Sequence, residues 1–198
     1  MSNSVNKHFD AVGSYLRPAE LKEARAKFAN NEISAEQLRA VEDRLIEDVI
    51  KKQKAHGLHY ITDGEFRRSY WHLDFMWGFG GVEHIELDHG YQFHGEETTK
   101  GSLKLTGKIT GSGHPFIKDF LFVKQFEEEG VEAKQTIPAP AQFLAELFRG
   151  DNSKNTREFY PNNVELIHDI AEAYRTFFRE RLFHMDGPWF HPKYIPDC

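Results

Sequence analysis

Apolar positions recur at helical spacing in four stretches of the chain. From Ser34 the residues Leu38, Val41, Leu45, Ile46, Val49 and Ile50 follow each other at three and four positions, with charges filling the other faces. Ser34 and Gln37 form a Ser-x-x-Gln capping box and Gly57 supplies a stop, so the spacing predicts one long helix between them. Pro18 followed by Ala19–Phe28 predicts a helix before it. Ala141–Phe148 predicts a third. Pro161 to about Leu182 predicts a second long one, with Val164, Ile167, Ile170, Ala171, Tyr174, Phe177 and Phe178 on its stripe. Short apolar runs predict strands at Phe9–Ser14, Leu58–Glu65 and Ala133–Pro140, and a strand start at Lys193–Asp197. Gly150–Asn155 reads as a loop. Val82–Phe126 differs in texture: polar and apolar residues alternate between glycines, which predicts an antiparallel excursion.

Strands followed by helices, with one β-rich insertion over 82–126, point to an α/β chain built as a single domain over 1–198. The order fits a (β/α)-barrel type of chain. Hydrophobic residues at 39% and 17 phenylalanines supply a core or an aromatic-lined cleft. A net charge of −6 disfavours a nucleic-acid partner. No apolar run approaches the ~20 residues of a membrane span, and Met1–Asp10 lacks a signal-peptide core. The single cysteine, Cys198, excludes an intramolecular disulfide and a cysteine-rich zinc module. A cytoplasmic protein is the expectation.

Chemistry is expected at the C-terminal tips of parallel strands. The first tip is Val12-Gly13-Ser14, whose backbone N–H groups suit a carboxylate or phosphate, or else simply turn the chain. The second is Asp63-Gly64-Glu65-Phe66-Arg67-Arg68, where a carboxylate can hold an ammonium group or move a proton. A solvated charged loop is the plainer alternative. Tyr70-Trp71-His72-Leu73-Asp74-Phe75 follows it, as a cleft for a flat ring or as core. The third is Thr136-Ile137-Pro138-Ala139-Pro140, a rigid turn or a site of a cis proline. The 11 histidines show no H-E-x-x-H spacing, and no phosphate-loop, Rossmann or nucleophile-elbow motif occurs.

The three tips, in this order, resemble the cobalamin-independent methionine synthase family. The resemblance is to the short bacterial single-barrel members that match its C-terminal catalytic domain, over about residues 9–180. It implies a partial, half TIM (β/α)8-type barrel with about four parallel strands and an antiparallel insertion. It implies transfer of a methyl group from 5-methyltetrahydrofolate to homocysteine, through a thiolate activated by zinc. By motif, Gly13 and Ser14 would hold the homocysteine carboxylate and Glu65 its ammonium group. Trp71 would lie toward the folate, and Asp197 would occupy a later acidic tip. The family's zinc ligands, a His-x-Cys pair, a Glu and a further Cys, have no counterparts in this sequence, so no metal or catalytic residue is assigned. Three readings stand side by side: a methyltransferase, a catalytically inactive half-barrel that only binds, and a truncated remnant that lacks the zinc ligands and has no activity. Uncovered strand edges imply a homo-oligomer.

Overall fold

The computed structural model of the protein describes residues 11–88, 92–93, 96–97 and 100–183. The chain divides into two compact units. One is Met1–Asp74 with Lys118–Pro138, the other Phe75–Ile117 with Ala139–Cys198.

The first unit opens with two helices, α1 (Ala19–Ala29) and α2 (Ala35–Ala55). Both follow the pattern of the sequence, and α2 carries the expected capping box. The Ser34 side chain accepts from the Gln37 N–H, and the Gln37 side chain accepts from the Ser34 N–H. Leu45, Ile46 and Ile50 of α2 join Leu21 of α1 in a core with Ile61, Phe66 and Val123. The strand expected over Leu58–Glu65 is short, β1 (Tyr60–Ile61). Its partner β6 (Glu132–Ala133) lies parallel to it, with Tyr60 opposite Glu132 and Ile61 opposite Ala133. Of the strand expected over Ala133–Pro140, only Ala133 is in β6, with the Lys134 N–H still donating to the Ile61 carbonyl at 2.8 Å. One buried side chain extends β1. The Gln53 amide donates to the Thr62 carbonyl at 2.8 Å and accepts from the Thr62 N–H at 2.9 Å, as a neighbouring strand would. Of the strand expected over Phe9–Ser14, the described part, 11–14, is irregular. Val12 is 84% exposed, and Gly13 has a φ of +81° that no regular strand uses.

The second unit holds a hairpin of β2 (Gly80–Glu86) and β5 (Gly101–Thr110), with the short pair β3 (Gln92–Phe93) and β4 (Glu96–Glu97) in the connection. The antiparallel texture of the sequence is present here. The one-turn helix α3 (Leu73–Met76) precedes the hairpin in the chain, and the antiparallel texture stops before α4 (Phe116–Lys124), most of which belongs to the first unit and where the stretch read as strand-like is helical. After α5 (Pro140–Leu147) the expected loop at Gly150–Asn155 is mostly helix, α6 (Asn152–Phe159). Its Asn and Thr side chains stabilise it through tertiary bonds. Asn152 donates to the Glu146 carbonyl at 3.1 Å and Thr156 to the Leu147 carbonyl at 2.7 Å. Asn155 brackets Leu105 of β5, accepting from its N–H at 2.6 Å and donating to its carbonyl at 3.1 Å.

The long helix α7 (Asn163–Phe183) is present but turned from its expected face. Leu166, Ile170, Ala173, Tyr174 and Phe177 are buried, whereas Val164 (80%), Ile167 and Phe178 are exposed. Phe75, Phe79, Phe116, Phe143 and Phe177 form interior. Phe75 meets Phe79, Phe116 and Phe177 edge-on at ring-centre distances of 5.2, 5.3 and 5.1 Å. His114 sits among them with both ring nitrogens bonded to backbone, Nε2 to the Phe75 carbonyl and Nδ1 to the Phe116 N–H.

Among the described residues one parallel strand pair occurs, against the about four parallel strands that the family resemblance implies. No cis peptide bond occurs there, so the expected cis proline is absent from Pro138 and Pro140. No described helix is long and apolar enough to cross a membrane.

Candidate functional site

Past β1 the chain makes a tight turn over Asp63-Gly64-Glu65. Gly64 and Glu65 both have positive φ, 63° and 57°. Glycine is needed at 64 for space as well as φ, because a Cβ there would lie 2.9 Å from the Tyr15 ring. Glu65 has no such freedom, and a side chain in the left-handed region costs roughly 1–2 kcal/mol. The turn therefore carries its backbone strain at Glu65. The turn is held by Phe66 N–H to the Asp63 carbonyl at 3.3 Å, Gly64 N–H to Thr62 Oγ1 at 3.1 Å, Glu65 N–H to Asp63 Oδ1 at 2.9 Å, and Tyr15 N–H to the Gly64 carbonyl at 3.1 Å. Phe66 then anchors the turn in the core of the first unit.

The Glu65 side chain is buried, 3% exposed, and both its oxygens are engaged. The Ser14 hydroxyl donates to Oε2 at 2.5 Å. The Thr136 hydroxyl donates to Oε1 at 2.7 Å, and Arg68 Nη1 donates to the same oxygen at 3.2 Å. Around them, arginines bind the carbonyls of the turn. Arg17 donates to the carbonyls of Glu65 at 3.1 Å and Arg68 at 2.7 Å, and Arg25 to those of Arg68 at 3.0 Å and Phe66 at 2.6 Å. Burial pushes the Asp63 carboxyl above its ordinary range, opposed by the Arg68 charge. Burial likewise raises Glu42, which pairs with Arg25 at 3.6 Å.

Ser14 and Glu65, 51 residues apart in sequence, thus meet directly. Gly13 precedes Ser14 in the exposed segment. Trp71 joins the cluster only through its main chain, its carbonyl accepting from Arg68 at 3.3 Å, while its side chain is 52% exposed. Asp197 lies outside the described residues. Thr136, Arg68 and Arg17 carry no site assignment from the sequence, although Arg68 and Thr136 stand in the second and third tips. Their signal was position, a hydroxyl and two arginines at strand tips of an acidic chain.

The catalytic-domain family described as cobalamin-independent synthase matches residues 10–91. The uncharacterized proteins YxjH and YxjG of Bacillus subtilis are 43% and 40% identical over 166 and 167 residues, 84% of this chain in each case. A solved Listeria monocytogenes protein, described as a vitamin-B12-independent methionine synthase, is 39% identical with a TM-score of 0.65, over 86% of this chain. The match spans 42% of the length of each Bacillus relative and 48% of the Listeria chain. The α/β fold is similar to that of the Listeria protein. The match falls on Ser14, the Asp63–Glu65 turn and Trp71, and over residues 10–91 the chain belongs to the catalytic-domain family of cobalamin-independent synthases.

Proposed function

We propose that the Ser14–Glu65 pair binds the amino-acid end of homocysteine, in a domain of the methionine-synthase type that moves a methyl group to its sulfur. The observation that carries this reading is the buried Glu65 carboxylate, held in a strained turn and facing the exposed Ser14. An ammonium group arriving at Oε2 takes the place of the Ser14 hydroxyl. The released hydroxyl and the backbone N–H of the Gly13–Ser14 segment are then available to the substrate carboxylate. A charged donor is favoured over the neutral hydroxyl at a buried carboxylate. The half-exposed indole of Trp71 offers a flat face to the pterin of 5-methyltetrahydrofolate.

In the family, a bound zinc ion would stabilise the homocysteine sulfur as its thiolate. Among the described residues no group of three His, Cys, Asp or Glu side chains is placed to hold a metal ion, so they do not fit zinc and no step is assigned to it here. The parallel pair β1–β6, with α2 packed on it, supports reading the chain as part of a (β/α)8-type barrel. Edges left by a partial barrel would be covered by a second copy.

Calorimetric titration with L-homocysteine, with and without zinc, tests the reading. Saturable binding is expected, and Glu65→Gln should weaken it by ~2–5 kcal/mol, as for a buried charge that loses its partner. Absence of binding under both conditions, or an unchanged affinity in the variant, overturns it. Binding that requires zinc favours methyl transfer; binding indifferent to zinc favours a module that holds the amino acid alone.

A further inference from the structure

Arg68 is almost fully buried, with its side chain 4% exposed, and its guanidinium spans two chain segments that are distant in sequence. Nη1 donates to Glu65 Oε1 at 3.2 Å, to the Trp71 carbonyl at 3.3 Å and to Thr136 Oγ1 at 3.4 Å. Nη2 donates to the Thr136 carbonyl at 2.7 Å. The Arg68 carbonyl is itself held by Arg17 and Arg25 at 2.7 and 3.0 Å. One planar group therefore ties the turn after β1 to the segment after β6, and both segments touch the same carboxylate oxygen.

We propose that Arg68 is a positioning residue for amino-acid recognition: it holds Glu65, through Oε1 and Thr136, so that Oε2 alone is offered to an ammonium group. The proposal rests on reading Ser14–Glu65 as the amino-acid site. Arg68 meets Oε1 and the exposed Ser14 meets Oε2, so Arg68 acts through Glu65 and not on the ligand. A fork of donors is required for this. Lysine keeps the charge but is a point donor that cannot reach Glu65, Trp71 and Thr136 together. Glutamine removes both the charge and the fork, on a shorter side chain.

The test compares L-homocysteine with N-acetyl-L-homocysteine, which lacks the ammonium group, by calorimetry on the full chain as wild type, Arg68→Gln, Arg68→Lys, Glu65→Gln and the Arg68→Gln/Glu65→Gln double variant. The wild type should prefer the free amine. Arg68→Gln should lose about tenfold or more in affinity for the free amine. Its affinity for the acetylated ligand should stay within about twofold, and in the Glu65→Gln background it should cost no more than about twofold. Arg68→Lys should show the same selective loss, to a smaller extent. If Arg68→Gln does not fold, as judged by thermal melting, Arg68→Lys decides on the same criterion. A wild-type preference that persists in the Arg68 variants overturns the inference while leaving the site reading intact. So does an equal loss for both ligands, or losses that multiply in the double variant. A wild type that does not distinguish the two ligands overturns the site reading and the inference with it.

Discussion

At Asp63 a single carboxyl carries opposed demands. Its Oδ1 accepts the Glu65 N–H that closes the turn, yet burial drives its pKa up from the ordinary 3.8 despite the Arg68 charge beside it. A carboxyl whose folded pKa is raised binds more protons folded than unfolded. Stability is then lost as pH rises from 3.8 through the raised value, and neutral pH bears the full cost of the buried charge. Asp63→Asn keeps the accepting oxygen and removes the charge. Its melting temperature relative to wild type should therefore be higher at pH 7 than at pH 4. A difference independent of pH, measured by calorimetric melts, would contradict this. Glu65 shows the same economy of means in its backbone. Its φ of 57° is spent on the one carboxylate that Ser14, Thr136 and Arg68 all reach.

At the scale of elements, helices follow local signals and strands do not. The α2 helix begins at the reciprocal Ser34–Gln37 cap. Ser34→Ala should cost ~0.5–2 kcal/mol, seen as a melting temperature lower by several degrees, with homocysteine affinity unchanged. No shift in melting would mean that the cap is redundant. The same local logic places α1, α5 and α7 within a residue or two of their expected bounds. It fails at α6, because Asn152 and Asn155 read as loop residues until Glu146 and Leu105 supply their partners. It fails also for the buried face of α7. The residues at 164, 167 and 178 are as apolar as those at 166, 170 and 177, and only the packing partners decide between them.

Over the whole molecule, each unit has its own apolar centre, aliphatic in the first and aromatic in the second. Phe177 is fully buried and meets Phe75 and His114. Phe177→Ala should destabilise the chain by ~3–5 kcal/mol in denaturant titration, a loss that only a well-packed core produces. A loss below ~1 kcal/mol would show that the aromatic cluster is loosely packed.

By itself the sequence determined the α/β class, the helices with their cap, and the family, because each depends on residues near one another in the chain or on motifs in order. The tertiary structure alone decided which motif residues meet. Ser14 and Glu65 are separated by 51 positions and Arg68 and Thr136 by 68, and no periodicity reports such distances. It also decided that β1 ends on the side chain of Gln53, and that Phe75, Phe79 and Phe177 fill a core. Hydrogen bonds and burial between distant segments exist only once the chain has folded, so the carboxylate at 65 becomes a held, single-sided acceptor only there.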